Sequence, residues 1–304
     1  MRALSGRLPC GFFGVSSRVT LPAVRSTADN PMVWTGAPRG ENDAFPVFSF
    51  SVNREYADIM YPAWSFWSGG PAISLYPRGL GRFDLKRKSI LAAAEALPWD
   101  ERKDVAFFRG ARTTPERDPI VFFSDAHPEL LDARYTPNYK KESGLPGVEP
   151  VEPVELEAHC EYKYLLNARG VAASFRFKHL FLCQSLVFNV GDGDWLEFFY
   201  PALQPYVHYI PLLEDLSDAR AKLEWARAPE NRDLVRGIAR RGHELIRDHL
   251  RNEDVKEYWR ELLLAYGSRV SWDVARDEAL DLKVPDQQDR RRGLDAMVFP
   301  PTEG

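Results

Sequence analysis

Three times between residues 105 and 190 the chain runs a short apolar segment into a turn that contains glycine: VAFFR (105–109) into Gly110, YKYLLNA (162–168) into Arg169-Gly170, and SLVFNV (185–190) into GDGD. Apolar runs of this length suit strands buried on both faces, because a strand with one wet face alternates polar and apolar residues. Helical patterns separate and follow them, at residues 116–123, 173–182, 217–228 and 232–250, with a further strand at 206–212. Ser217 is the expected N-cap of the third of these helices. Strands alternating with helices across residues 105–250 predict an α/β domain with a mainly parallel, doubly wound sheet.

The flanks are less regular. Residues 1–44 are rich in Arg, Pro, Ser and Gly without periodicity and are expected to be loop. FPVFSF (45–50) reads as a short strand, and DLKRKSILAAAEA (84–96) as a helix with Leu85, Ile90, Leu91 and Ala94 on one face. Residues 131–158 carry four prolines and several acids and read as a loop, and 271–304 as a loose, charged tail. A last helix over 253–266 aligns Val255, Tyr258, Trp259, Leu262 and Leu263.

Composition narrows the function classes. The net charge is −4 and no basic block exceeds three residues, which argues against nucleic acid or an anionic membrane surface as the main partner. No run approaches the roughly 18–20 apolar residues of a membrane span. The start, MRALSGRLPCGFFGVSSRV, lacks the sustained apolar region of a secretory signal, and the end, FPPTEG, is not a retention motif. No G-x-S-x-G, P-loop or G-x-G-x-x-G occurs. His159, His179 and His208 stand alone, without zinc spacing. Cys10, Cys160 and Cys183 allow one bridge with one thiol left over, and Cys160 with Cys183 is compatible either with a bridge or with two buried thiols.

Two turns carry candidate chemistry. After the strand at 162–168, the small residues Gly170, Ala172, Ala173 and Ser174 would let a phosphate approach the free N–H groups of a helix start, with Arg176 adding a bidentate contact. The competing reading is a buried helix whose cations, Arg176, Lys178 and His179, snorkel to the surface. FRGARTTPERDP (108–119) gathers Arg109, Arg112 and Arg117 with Glu116 and Asp118. Alone it is a salt-bridge network; beside the first turn it would converge on the same ligand. Asp192-Gly193-Asp194 has the D-x-D form of metal-dependent sugar-nucleotide enzymes, but a solvated turn explains it as well. Glu197 would accept hydrogen bonds from a ribose or open a helix.

In order, FPVFSF, DIMYPAWSFW with GGPA, YPRGLGRFDL, FRGARTTPERDP, HCEYKYLLNARGVAASFRFKHLFLC, WLEFFYPALQPYVHYIP and DVKEYW resemble the protein O-glucosyltransferases, the Rumi or CAP10-type family, over residues 45–270. The resemblance implies a GT-B glycosyltransferase with a Rossmann-like UDP-sugar-binding domain at 104–250 and an incomplete N-terminal acceptor-side domain at 45–103. A C-terminal helix at 251–270 would follow, with 1–44 unmatched. It implies metal-independent, inverting transfer of glucose, or xylose, from the UDP-sugar to serine in the C-x-S-x-P-C segment of EGF-like repeats. The expected compartment is the endoplasmic reticulum lumen, and the acceptors secreted or cell-surface proteins such as Notch. No cofactor is implied.

Donor-binding positions carry over as Tyr76, Ala111 (serine in the family), Arg117, Val171, Ala172, Ala173, Ser174, Phe175 and Arg176. Acceptor-side positions carry over as Ala72, Ile73, Ser74, Leu75, Tyr76 and Pro77, in a stretch one residue shorter than the family's. The family disulfide falls on Cys160 and Cys183. The family's catalytic base is an aspartate in an Arg-Asp-aromatic-Pro-Gln segment before FPVFSF. Here that stretch reads MVWTGAPRGENDAFPVF, so no catalytic residue carries over, and Asp43 is the nearest carboxylate in an unmatched context. The resemblance therefore implies a donor half without its base, in a chain that looks truncated or alternatively started.

Overall fold

The computed structural model describes residues 24–25, 47–67, 82–137, 142–191 and 194–269. Strands β1 (Val24–Arg25), β2 (Val47–Ser49) and β3 (Ile59–Met60) form a small parallel sheet in that order. Helix α1 (Phe83–Ala96) leads to the main sheet of β4 (Lys103–Gly110), β5 (Leu131–Tyr135), β6 (Tyr162–Ala168), β7 (Leu186–Val190) and β8 (Ile210–Leu212). Their spatial order is β5-β4-β6-β7-β8, and every neighbouring pair is parallel. Helices α2 (Asp118–Ala126), α3 (Phe177–Leu182), α4 (Ala219–Arg227) and α5 (Arg232–His249) cover both faces, and α6 (Asn252–Gly267) packs on the small sheet.

The apolar runs fill two cores. Ala106 and Phe108 of β4, Leu166 of β6 and Phe188 of β7 pack with α2, α4 and the first part of α5. The intervening Phe107, Leu165 and Val187 point to the opposite face, against α1 and α3. Side chains alternate across a strand, so covering both faces demands apolar residues at every position. This is the expected α/β class with its parallel sheet. From β4 the chain moves outward to β5 and then returns across β4 to β6. The strand order thus reverses between β4 and β6, and ligands of doubly wound sheets bind outside the carboxyl ends at such a point.

Several expectations are corrected. Residues 131–158 are not all loop: LDARY forms β5, the edge strand, which buries Leu131, Ala133 and Tyr135 while its polar residues alternate outward. The strand expected over 206–212 is confined to Ile210–Leu212, since Tyr206 takes a positive φ of 61° and the preceding residues turn. Helix α4 starts at Ala219 with Asp218 at the N-cap, because the Ser217 hydroxyl is engaged with Asp215 Oδ1 at 2.8 Å. The helix expected over 116–123 is a 3-10 turn, Pro115–Arg117, followed by α2. In α1, Leu85 is 57% exposed and Phe83 takes the inward position; in α6, Leu263 is likewise exposed while Val255 and Leu262 are buried. The acceptor-side residues 72–77, among them Tyr76, lie outside the described residues, as do Cys10, Asp43, Asp192 and most of both flanks.

Candidate functional site

The site grows from the carboxyl ends of β4 and β6. Gly110 ends β4, and a Cβ there would lie 3.1 Å from Arg176 Nη1 and 3.4 Å from Arg117 Nη1. The bare glycine thus lets two guanidiniums, delivered by two different turns, approach the same point. Both lie over the Phe108 ring, with Cζ 5.7 Å (Arg117) and 4.9 Å (Arg176) from its centroid. Arg117 is 6% exposed and donates to three carbonyls, those of Arg169 at 2.7 Å, Ala111 at 2.8 Å and Ala168 at 2.9 Å. It clamps the turn after β4 to the end of β6 across the switch point. Arg176 donates to the Arg109 carbonyl.

No ion pair joins Arg117 to a carboxylate among the described residues. Burial, reinforced by the neighbouring Arg176, pushes its pKa down to about 9. Neighbouring like charges disfavour each other, the more so where one of them is buried. Arg109 and Arg112 behave differently. Arg109 bonds Asp132 with both oxygens at 2.9 Å, and Arg112 bonds Asp118 at 2.8 and 2.9 Å. The salt-bridge reading holds for these two, whereas Arg117 and Arg176 approach each other beside Gly110.

A cleft of about 230 Å³ opens beside Arg117, with Arg176 behind its lining rather than in it. Its floor is Asn167 and Ala168 at the end of β6 and Asn189, Val190 and Gly191 at the end of β7. Arg117, Ala173 and Ser174 line one wall, and Asp194, Trp195 and Tyr200 the other. At the rim Arg169 pairs with Glu116 at 2.5 Å. Nothing in the sequence singled out Asn167 and Asn189, whose amides bond at 2.7 Å. They meet because β6 and β7 pair in a register that sets the two residues opposite each other, and only the shared position just before each strand's end hinted at it.

The segment after Gly170 departs from expectation. It is not helical until Phe177; residues 171–173 form a bend whose Ala173 N–H donates to Ser51 Oγ at 3.1 Å. Ala172 is buried and Val171 is 42% exposed. The Phe175 ring packs on Phe50 and Trp64, at 5.4 and 5.2 Å between centroids, so its side chain leaves the cleft. Lys178 does not snorkel: it is fully buried, 3.6 Å from an equally buried Glu197. Glu197 therefore neither opens a helix nor reaches a ribose. Asp194 lies on the cleft and 3.5 Å from Arg54. No group of three or more His, Cys, Asp or Glu is arranged to hold a metal among the described residues. Cys160 and Cys183 are bridged, with Cα atoms 4.7 Å apart, and staple the far end of α3 to the segment that enters β6.

A doubly wound parallel sheet with two guanidiniums meeting at its switch point is an α/β architecture of the kind whose ligands bind outside the carboxyl ends of the strands. Residues 21–296 match the model of glycosyl transferase family 90, and the chain belongs to this family. It is 49% identical over 265 residues to human protein O-glucosyltransferase 1, a match covering 86% of this chain and 66% of that protein. It is 52% identical over 242 residues to the O-glucosyltransferase rumi homolog of Aedes aegypti, covering 79% of this chain and 60% of the relative. To O-glucosyltransferase rumi of Drosophila melanogaster it is 46% identical over 269 residues, covering 86% and 64%. The chain thus spans about two thirds or less of the length of the relatives it matches. Among solved structures, HepE of Anabaena in complex with UDP-glucose overlaps 60% of this chain and 53% of its own, with a TM-score of 0.39 and 13% identity. No described helix is long and apolar enough to cross a membrane.

Proposed function

We propose that the chain binds UDP-glucose, or UDP-xylose, with the diphosphate against Arg117, Arg176 and the bend at residues 171–174, in the donor half of a GT-B arrangement. The convergence of the buried Arg117 and the partly buried Arg176 guanidiniums on Gly110 carries this reading. The reaction is inverting transfer to a serine of an EGF-like repeat. The serine oxygen bonds to the anomeric carbon as the bond from that carbon to the phosphate oxygen breaks, and the serine proton passes to a general base, which the resemblance places on an aspartate before FPVFSF. The guanidiniums stabilise the charge that develops on the departing UDP, so the leaving group calls for no metal. The Cys160–Cys183 bridge suits an oxidising compartment and so supports work in the endoplasmic reticulum lumen on secreted or cell-surface acceptors such as Notch.

A second reading, a UDP-sugar or EGF-repeat binder without turnover, rests on one observation. The stretch MVWTGAPRGENDAFPVF holds no Arg-Asp-aromatic-Pro-Gln segment to supply the base that takes the serine proton. We expect calorimetry to record UDP-glucose binding, and a folded EGF repeat to receive little or no sugar. Full-rate transfer selects the first reading over the second, while absence of UDP-glucose binding overturns the first and leaves of the second only an EGF-repeat binder.

A further inference from the structure

Three cations fall within four residues at Arg176, Lys178 and His179, and the donor reading uses only the first. The backbone around them explains the other two. An anion cradle needs its carbonyls turned away from the ligand, since a lone pair facing a phosphate repels it. The Ser174 carbonyl accepts from Phe177 N–H at 3.0 Å and Tyr200 O–H at 3.3 Å. The Arg176 carbonyl accepts from the His179 and Leu180 N–H groups at 2.9 and 3.2 Å. Between them the ladder skips a residue: among the described residues no backbone N–H is bonded to the Phe175 carbonyl.

That carbonyl is satisfied by side chains instead. Lys178 Nζ donates to it at 2.9 Å, and His179 Nδ1 lies 3.2 Å away, which fixes the neutral ring with its proton on Nδ1. Burial keeps His179 well below the usual histidine range. Lys178 Nζ lies 4.7 Å from the Phe66 ring centroid and 5.4 Å from that of Phe175, enclosed away from the cleft. Its counter-charge, Glu197, sits in the same segment as Trp195 and Tyr200 of the opposite wall.

We infer that Lys178 is a positioning residue for the donor cradle: it holds the Phe175 carbonyl inward so that the 174–176 backbone presents N–H groups and Arg176 to the diphosphate, and Glu197 serves only to neutralise it. The inference rests on the donor reading above, and charge balance and carbonyl anchoring are separable in it. Removing either charge alone leaves the other buried and uncompensated, so Lys178→Met and Glu197→Gln each lower the melting temperature. The double variant removes both charges and regains most of it, yet still lacks the bond to Phe175.

The test is UDP-glucose affinity by calorimetry alongside thermal melting of the full chain. Lys178→Met and the double variant are expected to bind about tenfold more weakly, the worth of one charged hydrogen bond, whereas Glu197→Gln stays within about twofold of the parent. A double variant with parental affinity overturns the inference, because the pair is then a purely structural contact. A Glu197→Gln variant that itself loses about tenfold against the parent overturns it too, since affinity would then follow charge balance; this arm holds even where the Lys178 variants fail to fold. Failure of the parent chain to bind UDP-glucose overturns the donor reading instead, and this inference with it.

Discussion

The turns after β4 and β6 both carry arginines at the same edge of one sheet, yet most of those cations meet different partners. Arg109 and Arg112 face Asp132 and Asp118, so their charge is spent within the protein. Arg117 and Arg176 each donate to a backbone carbonyl across the switch point, Arg117 to that of Arg169 and Arg176 to that of Arg109. The difference separates a guanidinium seated on a carboxylate from two that brace neighbouring turns against each other, and it depends on what the cation touches rather than on the local density of arginine.

The comparison is tested first through the covalent staple that only the second turn has. Cys183→Ser opens a loop of 23-residue separation and is expected to lower unfolding free energy by about 3 kcal/mol in chemical denaturation, with donor affinity falling as α3 loosens. Next, Arg176→Ala should weaken UDP-glucose binding on the order of hundredfold by calorimetry, whereas Arg112→Ala should change it by less than about threefold. Equal losses would erase the distinction between the two turns.

Proton uptake offers a third probe. His159 is buried, and burial followed by the repulsion of Arg176 pushes its pKa down to about 3 from 6.5. A histidine with a depressed folded pKa stabilises the fold only while neutral. That contribution is complete above pH 6.5 and is lost as the pH falls toward 3, at about 1.4 kcal/mol per unit for one such group. Melting temperature should therefore drop on going from pH 7 to 5, with a shallower slope in His159→Gln. The smallest effect is expected at Ser51, which anchors Ala173 N–H: Ser51→Ala should weaken UDP-glucose by about threefold, the net worth of one hydrogen bond.

Much of the main sheet was legible because strands covered on both faces must be apolar throughout, and VAFFR, YKYLLNA and SLVFNV are nearly so. The edge strand LDARY escaped notice for the converse reason: with one side open it alternates, and prolines follow it closely. Arginine beside small residues pointed to Arg117 and Arg176, but local pattern could not separate them from Arg112. Their partners are carbonyls at the ends of other strands, 51 and 67 positions away. The early helix start at residue 173 failed likewise, since the bend there is held by Ser51, 122 positions distant. Lys178 read as a snorkelling cation and Glu197 as a ribose acceptor or helix opener, because neither local pattern points to the other, 19 positions along the chain.

Helix α5 supplies Val235, Ile238 and Ala239 to one core and Ile246 to the other. At the crossing sits Gly242, where even a methyl group would come within 2.5 Å of the His208 carbonyl oxygen and 2.8 Å of the Phe181 ring. A rod shared by two compartments this tightly leaves neither free to melt alone. Heating should therefore give one cooperative transition, and the donor cleft should vanish at the same temperature as the helices farthest from it.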